Sequence, residues 1–198
     1  MADVDTWAIE GLRRGEHQAY ALVIEALHAP IHRFLFRLSG DVGVAEDLAQ
    51  ETFLAVWRGI DSFQGKSRFK TWVFGIAYRQ FLRWRDRRTP QTASLDDSRD
   101  EDGAPAPVNQ VIEQEEQRRV RAAVYSLPHP YREVVCLVHL DGLSYREAAE
   151  VLAVPVGTVK SRMNGAFKIL RGKLGECEVQ GNEVREPERV PGRPARPL

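Results

Sequence analysis

Along Val156–Leu174 the residues Thr158, Lys160, Ser161, Asn164, Lys168 and Arg171 recur on one side. Val159, Met163, Ala166, Leu170 and Leu174 recur at steps of three and four on the other. Five Lys or Arg and no acid lie in this stretch. Such a helix can offer cations to phosphates and amide or hydroxyl groups to base edges. Just upstream, Ser144 and Glu147 stand at capping-box spacing, which predicts a short helix from Ser144 to Leu152. Ala153-Val154-Pro155 follows as a corner, because proline suits the first turn of a new helix and cannot continue an old one. A short helix, a tight corner and a basic second helix form the pattern of a helix-turn-helix that enters a major groove. An ordinary helical hairpin with a solvated basic face has the same local pattern.

A second chemical run is Phe63–Arg88. It opens with a loop, Phe63-Gln64-Gly65-Lys66-Ser67-Arg68-Phe69, and continues as a helix from about Lys70 to Arg87. Lys66, Arg68, Lys70, Arg79, Arg83, Arg85, Arg87 and Arg88 face a single acid, Asp86. Phe69, Trp72, Phe74, Tyr78, Phe81 and Trp84 are interleaved among them. Cations track phosphates and aromatic faces accept unstacked bases, so the mixture suits single-stranded nucleic acid. Most of these aromatics are also needed for a core.

A third run, Val44–Trp57, puts Leu48, Thr52, Ala55 and Val56 inward, with Phe53 and Trp57 beside them. Asp47, Gln50, Glu51 and Leu54 share the other side. That side is either a solvated acidic edge or a docking surface for a basic or polar partner, and spacing does not choose. Other chemistry is not supported. His28 and His32 are four apart, but Pro30 stands between them and no third ligand is evident. Cys136 and His139 have no second pair. No nucleophile–base set or phosphate loop is present. The expectation is therefore no metal, no cofactor and no enzyme.

These runs must be positioned by helices. Apolar residues recur at helical spacing throughout, which predicts an all-α chain. A first helical region covers residues 5–28, with Gly11 and Gly15 as weak points. Pro30 is expected to start or kink the next helix, which ends at Ser39-Gly40-Asp41. Prolines and acids (Pro90, Asp96, Asp97, Asp100, Glu101, Asp102, Pro105, Pro107) mark a flexible acidic linker at 91–109. It would space two basic modules, or shield their faces when no DNA is bound. Two small helical domains follow from this division: 5–90, and a four-helix domain at 110–176 that holds the helix-turn-helix, with a disordered tail at 177–198. Within the second, Val111–Leu127 and Tyr131–Leu140 are expected helices, separated by Pro128 and Pro130. Lys+Arg and Asp+Glu both number 28, and the zero net charge comes from this segregation, not from an even surface. No leader-like or membrane-spanning run is present, and Cys136 reads as a buried, inert thiol, so the cytoplasm is the expected location.

AEDLAQETFLAVWR, then FQGKSRFKTW, an acidic linker, and LPHPYREVVCLVHLDGLSYREAAEVLAVPVGTVKSR resemble, in this order, the extracytoplasmic-function (ECF) sigma factors of bacterial RNA polymerase. The resemblance covers roughly residues 10 to 175 and implies a promoter-directing initiation factor. Asp47, Gln50, Glu51 and Leu54 would dock on the β′ clamp helices of core polymerase, with a further contact to the β flap. Phe63, Gly65, Lys66, Ser67, Arg68, Phe69, Trp72, Arg79 and Arg83 would bind the −10 element and capture a flipped base. Thr158, Lys160, Ser161, Arg162, Asn164 and Lys168 would read the −35 element as duplex. An anti-sigma factor is the further implied partner. The chain departs from the pattern at Ala153, where glycine is usual, which puts a left-handed corner in doubt. Gly165 and Phe167 stand where arginines are common, and Gly75 is a similar departure. The expectation is −35 binding weakened by a missing cation at Gly165. The rivals are a sigma mimic or another helix-turn-helix regulator acting through an anti-sigma protein.

Overall fold

The computed structural model describes residues 6–88 and 115–175. The expected linker and tail, Cys177, and residues 111–114 of an expected helix lie outside them. Among the described residues there are eight α-helices and no strand, as the periodicity predicts. In order they are α1 (Thr6–Arg13), α2 (His17–Ser39), α3 (Val42–Gly59), α4 (Phe69–Arg88), α5 (Glu115–Tyr125), α6 (His129–Val135), α7 (Tyr145–Leu152) and α8 (Val156–Leu174).

The first helical region does break at Gly15, whose φ of 73° is open to glycine at no steric cost. Gly11 has a different reason. A Cβ there would stand 2.7 Å from that of Ala19, so α1 can approach α2 only over a glycine. Pro30 neither starts nor ends a helix: α2 runs through it, with Pro30 buried. The missing N–H leaves one helical bond unmade, and burial of Val23, Leu27, Ile31, Phe34, Leu35 and Leu38 outweighs that loss. α2 ends as expected, with Gly40 left-handed at the cap. Asp41 then caps α3 by accepting from the Val44 N–H at 2.9 Å. α3 buries Ala45, Leu48, Ala49, Thr52, Phe53 and Val56. α4 is buried almost all round from Thr71 to Tyr78, as a helix must be when it is packed on opposite sides. Phe34 and Phe74 meet at its centre, 5.2 Å apart.

In the second half, α6 gives way to a π turn at Cys136–Leu140. The Ser144–Glu147 capping box is complete, with the Ser144 N–H donating to Glu147 at 2.8 Å and the Glu147 N–H to Ser144 Oγ at 3.3 Å. Val159, Met163 and Ala166 of the predicted stripe are buried, and Leu170 and Leu174 are half-buried. The corner doubted on account of Ala153 is left-handed all the same. Ala153 sits at φ 53°, ψ 42° and is the one non-glycine with positive φ among the described residues. The left-handed region costs a non-glycine residue roughly 1–2 kcal/mol, while glycine loosens the unfolded chain by about 0.4–1 kcal/mol. Ala153→Gly is therefore expected to stabilise the protein by about 0.5–1 kcal/mol, seen as a raised urea midpoint with an unchanged slope.

The two halves share one continuous buried cluster. α7 lies on α4, and α6 with its π turn lies on α2. Sequence reading supplied two modules on a tether and not this contact. Among the described residues, no helix is long and apolar enough to cross a membrane.

Candidate nucleic-acid interface

Asp47, Gln50, Glu51 and Leu54 are all exposed on α3, one turn after another. Leu54 is 49% exposed although the helix has a well-filled inward face. It borders a shallow depression of about 420 Å³ that Glu51, Arg58 and Gln80 also line. Leu48, Thr52 and Val56 are on the opposite, buried side as read from the spacing.

The loop from Phe63 to Phe69 is held at both ends. Phe63 and Phe69 are 6% and 4% exposed, and their rings pack at 5.4 Å and against Trp72 at 5.2 and 5.6 Å. Arg13 of α1 donates to the Phe63 carbonyl at 2.7 Å. Both phenylalanines, expected to meet DNA, are thus anchors here, and neither face is open to stack on a base. The anchors present Gln64, Gly65, Lys66 and Arg68 to solvent, with Ser67 half-buried. Gly65 has φ 68°, so the tip needs its glycine. Beside the loop, Trp72, Ser62, Arg79 and Arg83 help line a second cavity, of about 220 Å³. Arg79 is pushed below its ordinary pKa, first by burial and then by Arg83 one turn away. Two neighbouring cations at a cleft with an indole and a hydroxyl are groups that can attract a nucleotide by charge and stacking.

On α8, Lys160, Ser161, Asn164 and Lys168 form an exposed face, Arg171 extends it, and Thr158 is half-buried. Arg162 stands apart. Its side chain is 29% exposed and its Nη1 lies 3.8 Å from the buried carboxylate of Glu133. That makes it a link between α8 and α6 more than a free reading group. Gly165 also has another role than the one expected. A Cβ there would lie 2.6 Å from Tyr131 Cε1 and 3.2 Å from Cζ. The glycine is a close-packing contact between α6 and α8, not a position vacated by a cation. Gly165→Arg is expected to destabilise the protein by about 1–3 kcal/mol through overpacking, with no gain in −35 affinity by fluorescence anisotropy. Phe167, 36% exposed, packs edge-on against His139 at 5.2 Å.

His28 and His32 do find a common neighbour, since α2 is continuous through Pro30. Their Nε2 atoms lie 3.8 and 3.7 Å from the two carboxylate oxygens of Glu46. Among the described residues, no group of three His, Cys, Asp or Glu side chains is arranged to hold a metal ion. Cys136 is fully buried, and burial pushes its thiol up to about 12, which keeps it unreactive.

Sequence reading missed Glu133 and Asp141, both buried acids. Tyr78 of α4 hydrogen-bonds Glu133, and burial, followed by that carboxylate's charge, holds the phenol well above its ordinary pKa. Arg37 of α2 reaches Asp141 at 3.3 and 3.4 Å. An acid inside an apolar run such as Glu133-Val134-Val135 is the only local sign of either site.

Residues 23–90 match the family model for Sigma-70 region 2, and residues 117–170 match that for Sigma-70, region 4. The chain is 30% identical over 177 residues to the ECF RNA polymerase sigma factor SigW of Bacillus subtilis (strain 168), covering 84% of this chain and 94% of that one. Among solved structures, CnrH in complex with the cytosolic domain of CnrY aligns with a TM-score of 0.63 at 23% identity over 86% of this chain and 96% of that one. The sigma factor RpoE in complex with the anti-sigma factor NepR from Bartonella quintana aligns with a TM-score of 0.60 at 25% identity, over 78% and 96%.

Proposed function

The chain belongs to the ECF sigma factors of the sigma-70 family and directs core RNA polymerase to promoters, and from that premise we propose how its surfaces divide the work. The acidic α3 stripe with Leu54 docks on the β′ clamp helices, and the second half meets the β flap. Lys66, Ser67, Arg68, Arg79, Arg83 and Trp72 take the −10 element as single strand, with Phe63 and Phe69 holding the loop in shape. Lys160, Ser161, Asn164, Lys168 and Thr158 read the −35 element in the major groove, and Arg162 braces their helix.

The observation that supports this division is the exposure of these stripes within the two segments that match regions 2 and 4. Each DNA contact is weak alone. Polymerase and the chain connection raise the effective concentration of the second contact once the first is made. Capture of unpaired bases offsets an unstacking cost of about a few kcal/mol. No step requires a catalytic group from this chain. By analogy with the relative bound to NepR, an anti-sigma factor restrains it, and the cytoplasm is where it works. Run-off transcription by core polymerase with this protein on a promoter library tests the reading. Specific start sites are expected; an absence of transcripts together with an absence of core binding would favour a mimic that acts only on its anti-sigma protein.

A further inference from the structure

The outer side of α8 carries an aromatic ring among its cations. Lys160, Asn164, Phe167 and Arg171 follow one another at steps of four, three and four, and all four are exposed. That spacing places them in one column on the helix surface. The buried side of the same helix is Val159, Met163 and Ala166, and Phe167 is not part of the core cluster. Its ring meets His139 of the π turn edge-on, 5.2 Å away at 72°. That contact restricts the ring without covering it, since Phe167 stays 36% exposed. The column has its cations at the two ends, with an amide and a phenyl between them. Lys168 follows Asn164 on the neighbouring column. Two further cations of α8 are turned elsewhere: Arg162 toward Glu133, and Lys173 toward Ser126, to which it donates at 2.6 Å.

The middle of this column suits an A·T pair better than a G·C pair. Guanine presents two acceptors in the major groove, which a guanidinium fork matches, and no arginine stands at the middle. An asparagine amide matches adenine, where one group donates and one accepts. A phenyl ring has no donor for phosphate or for a base acceptor. What a major groove can offer it is the 5-methyl group of thymine, the apolar feature of that base edge. Asn164 and Phe167 are three residues apart, about 4.5 Å along the axis at 1.5 Å per residue. Base pairs are about 3.4 Å apart, so the two side chains can address neighbouring pairs.

We propose that Phe167 is a specificity-determining residue of this chain: its ring packs on the 5-methyl group of a thymine in the −35 duplex, beside the base pair whose adenine Asn164 takes. The idea rests on the −35 role given to α8, and the test separates the two. Holoenzyme made from core polymerase and the full-length protein selects from a pool of randomised duplexes long enough for both promoter elements. Positions whose enrichment changes with Lys160→Ala combined with Asn164→Ala mark the −35 element. A thymine is expected among them. Each such thymine is then replaced by deoxyuridine, which removes only the methyl group, and binding is read by fluorescence anisotropy. At one position the parent is expected to lose about fourfold in affinity, the effect of one methyl group leaving an apolar contact. Phe167→Ala is expected to bind the thymine and deoxyuridine duplexes equally, and Phe167→Leu, which keeps an apolar side chain, to retain a preference for thymine. A parent that tolerates deoxyuridine at every position would overturn the proposal, as would a penalty that persists in Phe167→Ala. If Phe167→Ala weakens both duplexes alike while the parent shows no penalty, the ring meets a protein partner and not DNA. In each of these cases the −35 role of α8 stands. If no enriched position responds to the Lys160 and Asn164 changes, that role itself fails and the proposal falls with it.

Discussion

Leu54→Arg is expected to lower promoter-specific transcription by at least about 30-fold at limiting core polymerase, the effect of losing one interface hot spot of about 2 kcal/mol. Leu54 is half exposed on a helix whose other face already fills the core, so its apolar surface contributes nothing to folding that solvent would not tolerate. One and two turns before it stand Asp47, Gln50 and Glu51, all exposed, and Arg58 follows one turn after. An apolar residue at the end of an acidic stripe fits a basic partner surface, and a second arginine there would be both repelled and desolvated. Arginine is a good helix former, and exposed substitutions of this kind stay within about 0.5 kcal/mol of the parent. The thermal midpoint should hardly move. Pull-down of core polymerase should fall in parallel with transcription. A loss of transcription with core binding intact would place Leu54 in DNA melting and remove it from docking.

What could be read in the sequence was what depends on near neighbours. The capping box from Ser144 to Glu147 is four residues long, and both of its hydrogen bonds form. The apolar stripe of α8 depends only on helical period, and its buried members are among those the spacing names; on α3 the spacing names Leu48, Thr52 and Val56 but also Ala55, which is half-buried, and passes over buried Ala45 and Ala49. Distant partners were invisible. Gly165 read as a lost cation because its function lies in the ring of Tyr131, on another helix. Phe63 and Phe69 read as part of a DNA-facing mixture, yet each anchors the loop against the other and against Trp72. Pro30 read as the start or kink of a helix because the rule is local, while one helix runs through it, held by core contacts on both sides. Asp141 and Arg37 are 104 positions apart, and neither residue type at its position suggests a buried pair. Ala153 shows the converse, since the left-handed corner that favours glycine is imposed by the packing of α7 and α8 on a residue that resists it.

That buried pair also carries a pH dependence whose sign can be worked out. Burial raises the Asp141 carboxyl to about 6, against the opposing charges of Arg37 and Lys70, the Arg37 hydrogen bond and the more distant charge of Arg33. Arg33 and Arg37 come from α2 and Lys70 from α4; on the π turn, Cys136 stays neutral throughout. When the contact between the two halves opens, the carboxyl meets water and returns toward 3.8. A carboxyl raised in the closed form binds its proton more tightly there. Its contribution is therefore fully present below about pH 4 and is lost as pH rises through about 6. Between pH 5 and 7.5 the closing constant should fall by up to about tenfold, since one pKa unit corresponds to a factor of ten. Glu147 works in the opposite direction, but its carboxyl is lowered and so titrates beneath this window. With Cys177→Ser and a donor and an acceptor dye at Glu25→Cys and Arg171→Cys, exposed positions one in each half, energy transfer should thus be higher at pH 5 than at pH 7.5, and Asp141→Asn should hold the higher value at both. The reverse trend, or a slope that survives Asp141→Asn, would show that another group controls the contact between the halves.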